Sequence, residues 1–278
     1  MTRQHRTEQP NVHIRALEGL AELHDCVRLQ KETWGSGFSE HVPATMLQLG
    51  QRLGGIALGA FDESGRMLGF VFGLPGIRHG EIVHWSDMLA VHPAHRSLGI
   101  GEALKRRQRE VLLENGFHSA CWTFDPLEAR NAHVNFVHLG VTAREYVRDC
   151  YGDSDSPLHS IIGTDRIVVV WDLASDRVEQ RLTGKISDRA GLETAPGNVI
   201  HVSKKGPRSS PPRLDLEDPH LRVVIPSDIQ ALKSAAPTIA VEWRTHTRAA
   251  FETYLGRGYV VIDFVRDEGS GSYVLSRA

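Results

Sequence analysis

Asp87-Met88-Leu89-Ala90-Val91-His92-Pro93-Ala94-His95-Arg96-Ser97-Leu98-Gly99-Ile100-Gly101-Glu102-Ala103-Leu104 is the stretch whose reading decides the fold. A strand ends at Val91, a short turn follows, and a helix begins at a loop carrying Gly99 and Gly101. A helix N-terminus presents unpaired N–H groups and roughly half a positive charge. Glycine lets the backbone close on a ligand with no Cβ in the way. Together these features make a cradle for a pyrophosphate. Lys105, Arg106, Arg107 and Arg109 follow at once and could meet a further phosphate. Two other phosphate loops are excluded, because no Gly-Lys-Ser/Thr follows and the pattern is not G-x-G-x-x-G. A G-x-G at a helix start also permits tight helix–strand packing, so spacing by itself leaves both readings open.

Working outward, Ile82 to Val91 is the strand that feeds the turn. Strict alternation would put Val83, Trp85, Asp87, Leu89 and Val91 on one face and His84, Ser86, Met88 and Ala90 on the other. Ile56 to Phe61 and Met67 to Leu74, around Asp62-Glu63-Ser64-Gly65, read as a hairpin. Before it come a strand at Val12 to Leu17, a helix from Glu18 to Trp34 and a short helix from Pro43 to about Arg52. After the turn, Ile100 to Asn115 is the clearest helix, with Ile100, Ala103, Leu104, Val111 and Leu112 on one stripe and Gly116 as its stop. Ser119 to Phe124 is a strand, Asn131 to Leu139 a helix, and Tyr146 to Tyr151 and Arg166 to Trp171 are strands. Strands alternating with helices predict an α/β sheet of mixed direction. Ser203 to Pro219 is rich in Pro, Ser and charge and reads as a loop. Beyond it come a strand at Leu221 to Ile225, helices at Asp228 to Ala235 and Thr238 to Leu255 with Pro237 between them, and strands at Tyr259 to Val265 and Tyr273 to Leu275.

The chain has 278 residues, 41% of them hydrophobic, enough for one large domain or two small ones. Lys and Arg total 32 against 34 Asp and Glu, a net charge of −2. No basic excess exists to neutralise a phosphate backbone, so no nucleic-acid partner is expected. Cys26, Cys121 and Cys150 form neither a CxxC pair nor a disulfide ladder, which fits reduced thiols in a cytoplasmic protein. Met1 to Pro10 is polar and does not read as a signal peptide. No apolar run reaches bilayer length, so no membrane partner is expected. The histidines lack tight ligand spacing, and no metal is expected.

Arg-x-x-Gly-x-Gly at Arg96 to Gly101, after a strand ending Leu-Ala-Val-His-Pro and before an amphipathic helix, resembles the acyl-coenzyme A signature of the GNAT acyltransferase superfamily. The element order from Val12 to about Leu173 is similar to that fold. Trp122-Thr123-Phe124-Asp125-Pro126-Leu127, Asn131 with Asn135, Leu139-Gly140, Tyr151-Gly152 and Asp165-Arg166 before Trp171 resemble a bacterial branch of predicted GNAT acyltransferases with an extended C-terminal region. Trp243-Arg244, Thr247-Arg248, Phe251 and Gly258-Tyr259 resemble its tail. The resemblance implies a mixed, mainly antiparallel central sheet flanked by helices, plus a small C-terminal α+β region. The expected division is residues 1–175 as the acyl-CoA-binding domain, 176–220 as a connecting segment, and 221–278 as a C-terminal subdomain packed on the first. Acetyl-CoA or another acyl-CoA, succinyl-CoA included, would be the co-substrate. The acyl group would pass to a small amine, an amino acid among the candidates, by direct attack in a ternary complex.

By the same resemblance the strand end Leu89-Ala90-Val91 would receive the pantetheine arm, through backbone groups of Leu89 and Val91. The amides of Arg96, Ser97, Leu98, Gly99, Ile100 and Gly101 would hold the pyrophosphate. Asn131 would hydrogen-bond pantetheine, or else cap its helix. Two positions depart from the family pattern. Ser97 stands where many members have Gly, although a backbone amide survives that change. Phe136 stands near the Tyr that often protonates the departing thiolate, and Phe cannot donate a proton. His133, His138 and Tyr146 are close by in sequence, and no motif places them.

The attacking amine must be neutral, so a base or water relay is needed. Glu81, His84 and Asp87 are the candidates. The structural alternatives are a hydrogen bond at the sheet end for Asp87 and packing under a helix for His84. Cys121, mid-strand with no His fixed beside it, reads as a buried thiol rather than a nucleophile. Phe136 also keeps open an alternative: a catalytically weakened, acyl-CoA-binding regulatory module. A homodimer is compatible with the sequence, and the C-terminal region could be a degenerate half-domain, a lid or a dimer surface.

Overall fold

The computed structural model describes residues 11–35, 40–152, 161–185, 197–200, 202 and 207–277. Met1 to Pro10 and part of the Ser203 to Pro219 loop lie outside them. The chain divides into two compact units, Met1–Cys121 and Trp122–Ala278.

The first unit is built on β1 (His13–Ala16), β2 (Ile56–Phe61), β3 (Met67–Arg78), β4 (Glu81–Val91) and the start of β5 (Ser119–Phe124). Antiparallel pairing joins β1 to β2, β2 to β3 and β3 to β4, and β5 joins β4 in parallel. The helices are α1 (Gly19–Trp34), α2 (Ala44–Arg52) and α3 (Ile100–Glu114). Pro43 lies one residue before α2, as its extended N-cap, because its fixed φ leads into a helix without needing an N–H. Leu23, Cys26 and Leu29 of α1 and Leu47 of α2 pack with Phe70, Phe72, Met88 and Ala90 in one core. Ile100 and Leu104 of α3 lie against Gly69 of β3. The sheet therefore carries α1 and α2 on one face and α3 on the other.

The second unit carries β6 (Thr142–Val147), β7 (Arg166–Asp172), β8 (Gly197–Ile200), β9 (His220–Pro226), β10 (Tyr259–Asp267) and β11 (Ser270–Arg277). Their order is β7-β6-β10-β11-β9-β8. All neighbours are antiparallel except β8 and β9. The helices are α4 (Ala129–Ala132), α5 (Asp176–Leu182), α6 (Ile229–Ala235) and α7 (Pro237–Gly256). Phe136, Phe251 and Phe264 surround Tyr273 with ring centroids 5.0–5.7 Å apart. Mainly antiparallel pairing with helices interspersed among the strands is the architecture that the resemblance implies.

Four local expectations change. The helix expected over Asn131 to Leu139 is α4 followed by a widened π-helical turn, His133–Leu139. The strand expected at Tyr146 to Tyr151 lies earlier, at β6. It starts just after the left-handed Gly140, and the chain turns away through Asp149 and Gly152, both at positive φ. Pro237 opens α7 rather than separating it from α6, since a first-turn residue needs no N–H. The connecting stretch contains α5 and β8, and the Ser175 hydroxyl caps α5 by accepting from the Val178 N–H.

Candidate active site on strand β4 and the turn that follows

The site-bearing strand departs from strict alternation. Along β3 and β4, Phe72 pairs with Met88 but Leu74 pairs with Trp85, so β4 holds one extra residue at Ser86–Asp87. A bulge of this kind breaks the two-residue period. Before it, His84 and Ser86 hydrogen-bond residues of α3. After it, Met88 and Ala90 lie in the α1–α2 core, while Leu89 and Val91 face Gly101 of α3. His84 and Ser86 therefore share a face with Leu89 and Val91, not with Met88 and Ala90. This corrects the alternation expected from sequence.

The register also says where the backbone of β4 points. The His92 N–H donates to the Leu68 carbonyl at 2.8 Å. Bonded and non-bonded pairs alternate in an antiparallel ladder. Gly69–Val91 and Val71–Leu89 are thus the non-bonded pairs. The N–H and C=O groups of Leu89 and Val91 point away from β3. On that side the β4–β5 ladder consists of His84–Ala120 and Trp85–Cys121, and it stops at the bulge. Leu89 and Val91 lie beyond those pairs, with the Val91 carbonyl accepting from the Arg96 guanidinium. Ala90 turns its backbone to Phe70 of β3 and its side chain to the core.

The turn is built to present amides. Pro93–His95 forms a single 3-10 turn, fixed by the His92 imidazole accepting from the Ala94 N–H. Arg96 is extended, Ser97 is left-handed at φ 68°, and Gly99, also left-handed at φ 81°, is the N-cap of α3. Successive residues of this kind curl their N–H groups towards a common centre, an anion-binding concavity. The first intrahelical bond runs from the Ala103 N–H to the Gly99 carbonyl, so the N–H groups of Ile100, Gly101 and Glu102 precede it. Arg96, Ser97 and Gly99 are exposed, Leu98 is half-buried and Ile100 anchors the helix in the core. Gly99 has no side chain and Ser97 is exposed, which leaves the backbone of the turn open to solvent. An anionic pyrophosphate fits this donor set. The Arg96 guanidinium reaches back to the Val91 carbonyl at 3.4 Å, joining turn to strand.

The basic run after the turn is less available than its composition suggests. Arg106 is bound to Glu102 and Arg107 to Glu110. Lys105 is buried, and its ammonium donates to Ser86 Oγ at 2.8 Å and to Gln108 Oε1 at 3.1 Å. Gln108 Nε2 lies 3.2 Å from His84 Nε2 and 3.1 Å from Ser86 Oγ. Burial pushes the Lys105 amine down to about 7. Burial and then the Lys105 charge push the His84 imidazole down to about 3, so it is neutral. With its Oε1 accepting from Lys105, Gln108 donates from Nε2, and the proton of His84 sits on Nδ1.

The acid–base candidates are thus far apart in setting. Asp87 is exposed at the bulge, and desolvation by the surrounding protein raises its carboxyl pKa. His84 is fully buried, edge-on to Phe117 and bonded to α3. Gly73 makes room for it, because a Cβ there would lie 2.3 Å from His84 Nε2. Glu81 is exposed at the far end of β4, roughly 26 Å from Leu89 along an extended strand. Asn131 belongs to the second unit. It lies inside α4 with its side chain exposed, and Glu128, not Asn131, is the N-cap. In the same unit Phe136 is fully buried against Phe124 and Tyr273. The Tyr146 hydroxyl donates a hydrogen bond to Asp165, and burial holds its phenol pKa above the usual range.

Sequence reasoning passed over Ser86 and Gln108, and it set Lys105 towards a phosphate where the fold buries it against them. The signal was present: Lys105 and Gln108 share the stripe of Ile100, Leu104 and Leu112, where buried residues of α3 fall.

Residues 23–137 match the family model described as Acetyltransferase (GNAT) family. No curated protein matches the chain. Among solved structures, the ribosomal-protein-S18-alanine N-acetyltransferase from Escherichia coli is similar at 16% identity and a TM-score of 0.47, over 59% of this chain and 95% of that one. The structure of yncA, a putative acetyltransferase from Salmonella typhimurium with its cofactor acetyl-CoA, is similar at 20% identity and a TM-score of 0.44, over 59% and 95% of the two chains. Ard1 from Thermoplasma volcanium is similar at 16% identity and a TM-score of 0.44, over 57% and 95%. The matched segment begins within α1 and takes in the bulged strand, the amide turn and α3, so the part of the chain that carries the candidate site is similar to the GNAT acetyltransferase domain.

Proposed function

We propose that the protein moves an acetyl or succinyl group from acyl-CoA to the amine of a small molecule, an amino acid among the candidates. The observation that carries this reading is the pairing of two backbone sets in one unit. Leu89 and Val91 point N–H and C=O groups away from β3, and the exposed turn Arg96 to Gly101 follows them directly. The first set suits an extended amide-bearing arm and its thioester. The second suits a pyrophosphate. We place this activity in residues 1–175, with 176–220 connecting and 221–278 as an accessory region.

In this reading the acceptor amine, neutral, attacks the thioester carbonyl. The N–H of Leu89 or Val91 donates to the oxygen as it becomes negative, a contribution of about 2.7–4 kcal/mol for one well-placed donor. Asp87, exposed at the bulge with a raised pKa, takes up the amine proton through water. The thiolate leaves without a tyrosine at position 136.

The test is to incubate the pure protein with acetyl-CoA or succinyl-CoA and a panel of amines, following free thiol. Acceptor-dependent thiol release supports transfer. Saturable CoA binding with no turnover on any amine favours the second reading, an acyl-CoA-binding regulatory module, which the buried Phe136 supports. Gly99→Val forces a β-branched residue to φ 81° and should lower CoA affinity at least tenfold by calorimetry. Unchanged affinity would sink the phosphate-cradle assignment.

A further inference from the structure

The buried polar residues between β4 and α3 have no part in the chemistry above. Ser86, His84, Lys105 and Gln108 are each at least nine-tenths buried. They form one connected set, with Lys105 Nζ on Ser86 Oγ and Gln108 Oε1, and Gln108 Nε2 on Ser86 Oγ and His84 Nε2. Burying four such groups costs free energy unless each is satisfied, and apolar residues of similar size fill a helix–sheet contact more simply. His84 Nδ1 remains without a hydrogen-bond partner, so the set is not optimised for stability.

Its location is specific. Ser86 opens the one-residue bulge of β4, and His84 and Trp85 are the last β4 residues paired with β5. The network therefore grips β4 where it parts from β5 and where its side-chain phase inverts. Past that point lie Leu89 and Val91, whose outward backbone groups are the proposed contacts of the acyl thioester. Lys105 and Gln108 also lie one and two turns into the helix whose N-terminus forms the amide cradle. A single set of hydrogen bonds thus ties the cradle helix to the bulge.

We propose that the Ser86–Lys105–Gln108–His84 network is a positioning device for acyl transfer, locking the β4 bulge to α3 so that the Leu89 N–H meets the developing oxyanion. None of the four touches substrate. The inference rests on the acyltransfer reading given above. Loosening the lock leaves the amides of the cradle in place, so CoA still binds. It misplaces a donor used only as charge develops, so turnover falls. A displacement of about 1 Å at such a donor can cost on the order of a hundredfold.

The experiment compares wild type, Lys105→Met and Ser86→Ala in steady-state kinetics with acetyl-CoA and an amine on which the wild type turns over. Thermal unfolding and CoA calorimetry are run on the same samples. The expected result is a kcat at least tenfold lower in both variants, with KM and Kd for the CoA ligand within twofold of wild type. Ser86→Ala removes only one oxygen from the core and serves if Lys105→Met does not fold. Wild-type kcat in a folded Ser86→Ala variant overturns the proposal. So does a parallel loss of kcat and CoA affinity, which marks a merely structural role. A wild type that binds CoA but acylates no amine overturns the acyltransfer reading and this inference with it, an outcome told apart by the wild-type arm alone.

Discussion

The two units bury charge in opposite ways. In the second unit, Arg181 and Asp263 meet at 2.8 Å with side chains 1% and 0% exposed, and Arg244 meets Asp125 at 2.6 Å. Each is an arginine against a carboxylate, the pairing that suits a rigid fork. Among the described residues of the first unit, the buried cation is a lysine that donates to a hydroxyl and to an amide oxygen, and that amide in turn meets a neutral imidazole. An Arg–carboxylate pair stays charged across the whole physiological range and serves as a permanent strut. A lysine pushed down to about 7 sits at the edge of its charged state. The contrast separates charges that hold a fold from charges that hold a strand in one working geometry.

The largest effect should come from breaking a strut. Asp263→Ala leaves the Arg181 guanidinium facing a fully buried gap and should cost about 3–5 kcal/mol in urea unfolding. A loss under ~1 kcal/mol would mean that the pair is not the strut described here.

A smaller effect tests the lysine. Its pKa is 10.5 ordinarily and about 7 in the fold. Between those values the unfolded chain binds the proton and the folded chain does not, so stability rises with pH over that window. His84, ordinarily 6.5 and about 3 in the fold, gives the same sign over a lower window. Lys105→Met should flatten the rise between pH 7 and 9, a change of up to ~1.4 kcal/mol per pH unit. An equally steep rise in the variant would remove Lys105 as its source.

The smallest effect concerns the turn. Ser97 holds φ 68°, a region that glycine occupies at no steric cost. Ser97→Gly should relieve about 1 kcal/mol of strain, offset in part by the greater freedom of an unfolded glycine. CoA affinity should stay within threefold by calorimetry, because the amide is retained. A tenfold loss would show that the Ser97 hydroxyl itself contacts the ligand.

These contrasts were unequally legible in the sequence. The turn was legible because its determinants are local: apolar residues up to Val91, Pro93, Gly99 and Gly101, then a helical stripe. The bulge was not, since an extra residue at Ser86–Asp87 exists only relative to β3 and leaves the local pattern of β4 intact. That hidden residue misplaced His84 and Ser86 relative to Leu89 and Val91. Lys105 was read with Arg106 and Arg107 as a phosphate-facing run because charge is judged by type before helical phase. Counting from Ile100 and Leu104 puts Lys105 and Gln108 on the buried side. The β6 start was masked by Gly140 and the small residues after it, and α5 by a segment whose composition suggests a linker although Ser175 and Asp176 mark a helix start.

The bulge also defines a particular kind of genetic lesion. Losing one codon at Ser86 or Asp87 would leave every remaining residue of β4 intact and barely alter composition or charge. It would nonetheless restore a single phase along the strand, so that one half must turn over. Either the network residues would enter the α1–α2 core, or Leu89 and Val91 would leave the face of Gly101. A one-residue deletion here would therefore act as a null allele where many point substitutions on the same strand would be tolerated. Insertions and deletions across β4, rather than substitutions, should mark the boundary of the working site.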